Sequence, residues 1–160
     1  MVREALRGAA EAGHETQLFE IATDLHGCTG CHACKNDGDG MCVQRDALTP
    51  YFEALPTADA VILGAGIYMD FPQAEAWAFM NRHFCVNRGI RAGCRIPAGI
   101  RLLPMFAQGA PDAARYVANF EAFLAPFDNW GFDRRPVLLS TGPLSDDTLK
   151  KAFAAGRGVE

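Results

Sequence analysis

The stretch ADAVILGAGIYMDF, residues 58–71, decides the fold. Val61, Ile62 and Leu63 form an unbroken apolar run bounded by Asp59 and Gly64. A strand with one wet face alternates apolar and polar residues, whereas a strand covered on both faces reads as a continuous hydrophobic run. The stretch therefore predicts a strand buried on both faces, as in a parallel sheet. Directly after it, FPQAEAWAFMNRHF (71–84) predicts a helix with Pro72 near its start. Ala74, Trp77, Ala78 and Met80 or Asn81 stand around its faces.

Working outward, GIRLLPMFA (99–107) and RRPVLLST (134–141) predict two further strands, and ETQLFEIA (15–22), with Leu18, Phe19 and Ile21, a short one. PDAARYVANFEAFLAPF (111–127) predicts a helix with an apolar stripe of Tyr116, Val117, Phe120, Phe123 and Leu124. SDDTLKKAFAAG (145–156) predicts another, capped by Ser145. Residues 1–13 read as an amphipathic helix that turns Leu6, Ala9 and Ala10 to a core, keeps Arg3, Glu4, Arg7 and Glu11 in water and stops at Gly13. Asp46 is placed to cap the helix of ALTPYFEAL (47–55), with Pro50 in its first turn. CVNRGIRAGCRIPA (85–98) reads as irregular. Strands alternating with helices predict an α/β fold, a parallel sheet covered on both faces. One domain over residues 1–160 is expected, without repeats or interdomain linkers.

With 49% hydrophobic and 21% charged residues, the 160-residue chain can bury a full core without disulfide staples. A net charge of −4 offers no basic field to a phosphate backbone, so nucleic acid is not an expected partner. No run of about 18 apolar residues predicts a membrane span. The start MVREALRGAAEAGHE lacks the apolar centre of an export signal, and a cytoplasmic location is expected. In that reducing compartment, clustered cysteines more often bind metal or do redox work than form staples.

HGCTGCHACKNDGDGMC (26–42) holds such a cluster, Cys28, Cys31, Cys34 and Cys42 at the spacing C-x2-C-x2-C-x7-C. Two-residue gaps let successive thiolates converge on one small object, and Gly27 and Gly30 permit the tight path. A compact triplet with a detached fourth cysteine is a recurring cradle for a cubane iron–sulfur cluster, whereas structural zinc prefers two separated pairs. Zinc, a mixed site with His26 or His32, and free thiols without metal stay open on spacing alone. The blander reading makes both histidines solvated loop residues and Cys85 and Cys94 small buried side chains. No Walker-type loop and no G-x-G-x-x-G occur. GAG (64–66) does lie at the carboxyl end of the best strand, where open α/β sheets bind ligands. Tyr68, Met69 and Phe71 follow in an expected loop that could flank a planar cofactor or simply cap the sheet edge.

GCTGCHACKNDGDGMCVQRDAL (27–48), ADAVILGAGIYMDFPQAEAWAFMNR (58–82) and GIRLLPMFAQGAPD (99–112) together resemble landmarks of the NAD(P)H-dependent FMN reductase-like flavodoxin families, nearest to the iron–sulfur flavoproteins. The middle stretch is similar to the family's strand, Gly-Ser-Pro-x-Tyr loop and helix ending in Phe-x-Asp-Arg. Here Ala65, Gly66 and Ile67 precede Tyr68, and Phe79, Asn81 and Arg82 close the helix. The resemblance implies a flavodoxin-like three-layer sandwich with strand order 2-1-3-4-5, FMN at the carboxyl ends of the strands, and a homo-oligomer. It implies a [4Fe–4S] cluster on Cys28, Cys31, Cys34 and Cys42, and Gly66, Ile67, Tyr68 and Met69 along the ribityl and ring region. Gln108 and Gly109 would lie beside the ring.

The implied activity is that of an oxidoreductase or electron-transfer flavoprotein, with NAD(P)H or a small electron carrier as partner and no catalytic acid or base nominated. The alternatives are a cluster-free NAD(P)H-dependent FMN reductase and a flavinless metal-binding remnant of the fold. The family's first strand and its Gly-Ser-x-Arg-x-x-Gly-Asn-Thr-like phosphate loop have no counterpart here, and residues 1–13 match the helix that follows that loop. The chain is therefore expected to be incomplete at its amino end. The missing strand would lie between those at 15–22 and 58–64, leaving backbone pairing open on both sides.

Overall fold

The structure is a computed structural model, and it describes residues 1–21, 25–36, 41–89 and 93–159. In chain order the elements are α1 (Val2–Glu11), α2 (Ala33–Asn36), α3 (Thr49–Ala54), β1 (Ala60–Tyr68), β2 (Phe71–Pro72) and α4 (Ala74–Arg82). They continue with β3 (Asn87–Gly89), β4 (Gly93–Cys94), β5 (Arg101–Gln108), α5 (Val117–Asn129), β6 (Asp133–Arg134), β7 (Leu138–Thr141) and α6 (Asp146–Arg157). Short 3-10 turns follow α3 at Leu55–Thr57 and α4 at His83–Val86.

β5 is the centre of the sheet. It runs parallel to β1 from Ala60↔Arg101 to Gly66↔Ala107, and on its other side parallel to β6 and then β7. The strand expected over 134–141 is thus two short pieces that share one neighbour and are separated by Arg135, Pro136 and Val137. Proline has no N–H to give a ladder, which accounts for the break. β2 folds back antiparallel on the end of β1. β3 and β4 form a separate small hairpin within the segment read as irregular.

Side chains alternate across the sheet and divide the core in two. Leu63, Leu102 and Phe106 pack with Phe120, Phe123, Leu124 and Phe127 of α5, on the face that α3 and α4 also cover. Met105 meets Ala5 of α1 and Ala152 of α6, and Leu103 meets Ala9 and Val159, on the opposite face. Each fully buried leucine or phenylalanine contributes about 1.5–3 kcal/mol of burial, so the aromatic side dominates. β5 is buried from Leu102 to Phe106, the two-faced burial that its continuous apolar sequence predicts.

β1 departs from its prediction. Only Leu63 is buried, and Gly64 is exposed. The cause is the neighbour it lacks. Asp59 C=O accepts from Arg101 N–H at 3.0 Å, whereas both backbone groups of Gly66 turn the other way, to Gln73. Backbone groups alternate sides along a strand, so Ala60, Ile62 and Gly64 also face away from β5. Among the described residues nothing pairs with them. ETQLFEIA is likewise not a strand over its described residues 15–21, and Ala22 lies outside them. Between these two unpaired segments runs a cavity of about 1030 Å³, lined by residues 14–21, by β1 from Ala60 to Gly64 and by Val2, Leu6 and Ala9 of α1. It lies between residues 15–21 and β1, where a further strand is expected from the sequence.

Smaller differences have local causes. α1 buries Ala5, Gly8 and Ala9, leaving Ala10 exposed and Leu6 half-buried, because α6 packs close against its small residues. Asp46 does not cap α3 directly. Its Oδ1 accepts from Leu48 N–H at 3.0 Å and steadies a turn that delivers the chain to Thr49. Ser145 caps α6 as expected, accepting from Thr148 N–H at 3.2 Å.

Candidate functional site

Two groups of predicted residues lie at two places. The first is the carboxyl end of β1 and β5. Gly66 stands beside Ala107, and Gln108 beside Thr141 of β7, so Gly66, Ile67, Tyr68 and Gln108 gather at one end of the sheet with Gly109 just beyond. Residues 67–71 are not the expected loop. Ile67 and Tyr68 belong to β1, which pairs with β2 through Ile67↔Pro72 and Tyr68↔Phe71. The turn is Met69–Asp70, both at positive φ (48° and 73°), as in the two-residue turn that matches strand twist. Asn119 Nδ2 of α5 donates to Asp70 C=O at 2.6 Å and holds this turn. It presents Tyr68, Met69 and Phe71 to solvent at 71%, 92% and 50% exposure. Gln108 is buried. Its Nε2 donates to Ala110 C=O and Asp112 C=O, at 3.0 and 2.7 Å, while its buried Oε1 has no partner.

The second place is the cysteine loop. Cys28 and Cys31 are exposed, Cys42 is half-buried and Cys34 is buried, and all four are free thiols. Residues 37–40, between the third and fourth cysteines, lie outside the described residues. All four thiols nevertheless line one small cavity, together with Arg82 and Cys85. Left-handed backbone at Gly30 (φ 67°) and His32 (φ 56°) makes the tight path between the first cysteines. His26 and His32 are exposed, and His32 also borders that cavity. Cys85 is buried as expected, whereas Cys94 is only half-buried.

The thiols sense one another. Burial pushes the Cys34 thiol up, Lys35 opposes this, and Cys42, Cys28 and Cys31 add to the rise. Cys31 goes the other way, because the Ala33 N–H and the Thr29 side chain hydrogen-bond it and favour its thiolate. Burial, with Cys42 and Cys34 adding, pushes Cys85 up to about 12, so it stands in the wall as a neutral thiol. Gly30 N–H lies 3.5 Å from Cys28 Sγ, and Gln44 Nε2 3.9 Å from Cys42 Sγ. Among the described residues, no three His, Cys, Asp or Glu side chains close around a single metal ion. The arrangement is therefore four sulfur donors on the wall of one cavity rather than a closed mononuclear site among the described residues.

Cations moor the loop to the rest of the molecule. Lys35 Nζ donates to Phe84 C=O at 2.7 Å and to Asn87 C=O, and Arg95 Nη2 donates to Cys34 C=O at 2.5 Å. Beneath the loop Arg82 and Asp46 form an ion pair at 2.5 Å, with side chains 0% and 4% exposed. Arg82 Nη1 also donates to His26 C=O at 3.0 Å. Desolvation works to raise the Asp46 carboxyl, but the hydrogen bonds from Arg82 and from the Leu48 and His26 amides hold it below the ordinary range. In the sequence Arg82 marks only the end of a helix. Its partner lies 36 residues away, and the sole local signal is a cation at the end of a half-apolar helix.

A mostly parallel sheet with helices on both faces defines an open α/β protein of flavodoxin-like architecture. Solved structures agree. A WrbA-like flavodoxin from Agrobacterium tumefaciens superposes on 99% of this chain and 86% of its own, with a TM-score of 0.64 and 15% identity. An NAD(P)H:quinone oxidoreductase from Methanothermobacter marburgensis gives 99% and 89%, a TM-score of 0.68 and 15% identity. In sequence the chain is 33% identical over 97 residues to an iron–sulfur flavoprotein of Methanocaldococcus jannaschii, covering 60% of this chain and 47% of that protein. It is 29% identical over 89 residues to the iron–sulfur flavoprotein of Methanosarcina thermophila, covering 55% and 46%. The matched region thus spans about half the length of these curated relatives. No family model matches. The chain thus shares the flavodoxin-like fold of these structures and is similar in sequence, over about half their length, to these iron–sulfur flavoproteins.

Proposed function

We propose that this chain serves an FMN-dependent oxidoreductase or electron-transfer flavoprotein, with a [4Fe–4S] cluster on Cys28, Cys31, Cys34 and Cys42. The observation that carries the reading is that these four free thiols line one cavity, in a chain similar to iron–sulfur flavoproteins. The donor set suits a cluster, which takes four cysteine thiolates. It also suits an anion, because the buried Arg82 Nε on the same wall lacks a hydrogen-bond partner.

FMN, in this reading, lies at the carboxyl end of β1 and β5, against Gly66, Ile67, Tyr68, Met69, Gln108 and Gly109. Open parallel sheets bind ligands there, and the unpartnered Gln108 Oε1 leaves an acceptor for a polar edge. When bound, a flavin accepts hydride and a cluster passes single electrons. The chain's own tasks are positional. Asn119 fixes the turn that offers Tyr68 and Met69 as an apolar surface, and Lys35 and Arg95 hold the cysteine loop against the hairpin segment. NAD(P)H or a small electron carrier is the partner, and a homo-oligomer in the cytoplasm the working form.

Anaerobic purification followed by absorption spectra and iron and acid-labile sulfide assays tests the reading. About four irons per chain, lost in Cys34→Ser, is the expected result; an iron-free, colourless protein would overturn it. Among the described residues no three His, Cys, Asp or Glu side chains close around a single ion, and this observation favours the alternative, a cluster-free flavin reductase. Yellow, iron-free protein that reduces flavin with NAD(P)H and is indifferent to Cys42→Ser would establish that alternative.

A further inference from the structure

We propose that Arg82 is the fixed counter-ion of the group the four cysteines hold, and that the Arg82–Asp46 pair sets that group's reduction potential. The inference rests on the cluster reading above. Arg82 is fully buried, and its guanidinium is almost completely employed. Nη1 donates to Asp46 Oδ2 and His26 C=O, while Nη2 lies 3.4 Å from Gln44 C=O and Asp46 Oδ1. Nε alone has no partner. A buried N–H without an acceptor is destabilising, so an orphan on a cavity wall marks where an acceptor belongs. The other groups on that wall include the four thiols, Cys28, Cys31, Cys34 and Cys42. Thiolate sulfur and cluster sulfide are such acceptors, and both are anionic.

Lys35 also acts on Cys34 through its charge, but its ammonium donates to Phe84 C=O and Asn87 C=O and does not line the cavity. Asp46 is not on the wall either. The ion pair therefore presents its cationic end to the sulfurs and keeps its carboxylate behind. Cluster potentials respond to net charge, burial and hydrogen bonds to sulfur. A buried cation favours the reduced state, which carries one more negative charge. The carboxylate behind it offsets part of that effect.

The two halves of the pair then pull in opposite directions. In a mediated dithionite titration of the loaded protein, Arg82→Gln is expected to lower the midpoint by at least tenfold in the reduced-to-oxidised ratio, ~59 mV for one electron. Asp46→Asn, which keeps an acceptor for Arg82 but drops the negative charge, is expected to raise it. Iron release to a chelator should accelerate in Arg82→Gln. A purely structural role would weaken the loop in both variants and move both potentials the same way or not at all, and that result overturns the proposal. Should Arg82→Gln not load, the sign of the Asp46→Asn shift decides alone. Wild-type protein without iron or labile sulfide would defeat the cluster reading instead, so the two failures are distinct.

Discussion

His83 shows what a buried titratable residue does for this fold. It is fully buried, and its Nδ1 lies 2.9 Å from Phe79 C=O, an acceptor, so Nδ1 carries the proton. Nε2 is then the acceptor for Tyr51 O–H, 2.8 Å away. The ring stacks on Trp130 at 5.3 Å and 12°. Desolvation outweighs the Phe79 hydrogen bond and pushes the imidazole down to about 4. Between there and the unfolded value of about 6.5, the unfolded chain binds a proton that the folded chain does not. Stability therefore falls as pH drops through this window and is fully present above it. At about 1.4 kcal/mol per pH unit, His83 should account for about 2–3 kcal/mol of the loss between pH 7 and 4.5. Urea midpoints at both pH values check this. His83→Phe should be less stable at pH 7, since the buried Tyr51 hydroxyl loses its acceptor, but should lose less on acidification. An unchanged pH slope would refute the assignment.

At the level of elements, the contact between α1 and α6 depends on two missing side chains. A Cβ on Gly156 would lie 1.8 Å from Ala5 C=O, and one on Gly8 would lie 2.1 Å from Phe153 C=O. Both obstacles are backbone, so no rotamer change relieves them. Alanine is the better helix former by about 1 kcal/mol, yet Gly156→Ala must separate the helices over Ala5, Met105 and Ala152. A net loss of about 1–3 kcal/mol is expected. Gly158, at negative φ and with its added Cβ an ordinary 3.5 Å from Ala154 C=O, provides the control. Gly158→Ala should change the denaturation midpoint little or raise it. The sequence displayed each helix, because apolar spacing and caps such as Ser145 are local. It did not display this partnership, which joins residues some 150 positions apart through the absence of side chains. ETQLFEIA failed in the opposite sense. Its strand-like pattern is sound, but a strand needs a neighbour to pair with, and periodicity does not report whether one is present.

At the scale of the molecule, the same distinction separates what was legible in the candidate sites from what was not. Cys28, Cys31, Cys34 and Cys42 line one cavity, and their nearness was legible because residues close in sequence stay close in space. Gly66 and Gln108 were legible through strand order, which puts the carboxyl ends of parallel strands together. Arg82 and Asp46 were not, because only the folded chain brings them together. The open edge of β1 is the largest consequence of the whole arrangement, and it makes a residue-resolved prediction. Leu63 and Ala65 point their amides at β5, while Ile62 and Gly64 point theirs into the 1030 Å³ groove. Hydrogen exchange along β1 should therefore alternate. Leu63 and Ala65 should exchange slowly, in step with the core, and Ile62 and Gly64 at least about a hundredfold faster. Uniform protection would mean that the edge is paired in solution, either by a second copy or by residues 15–21 closing onto it. Chain concentration separates these outcomes, because only pairing between copies weakens on dilution. Uniform exposure would mean that β1 itself frays, and with it the strand end that carries Gly66, Ile67 and Tyr68. The alternating pattern is the one result that leaves a firm β1–β5 ladder beside an unpaired edge.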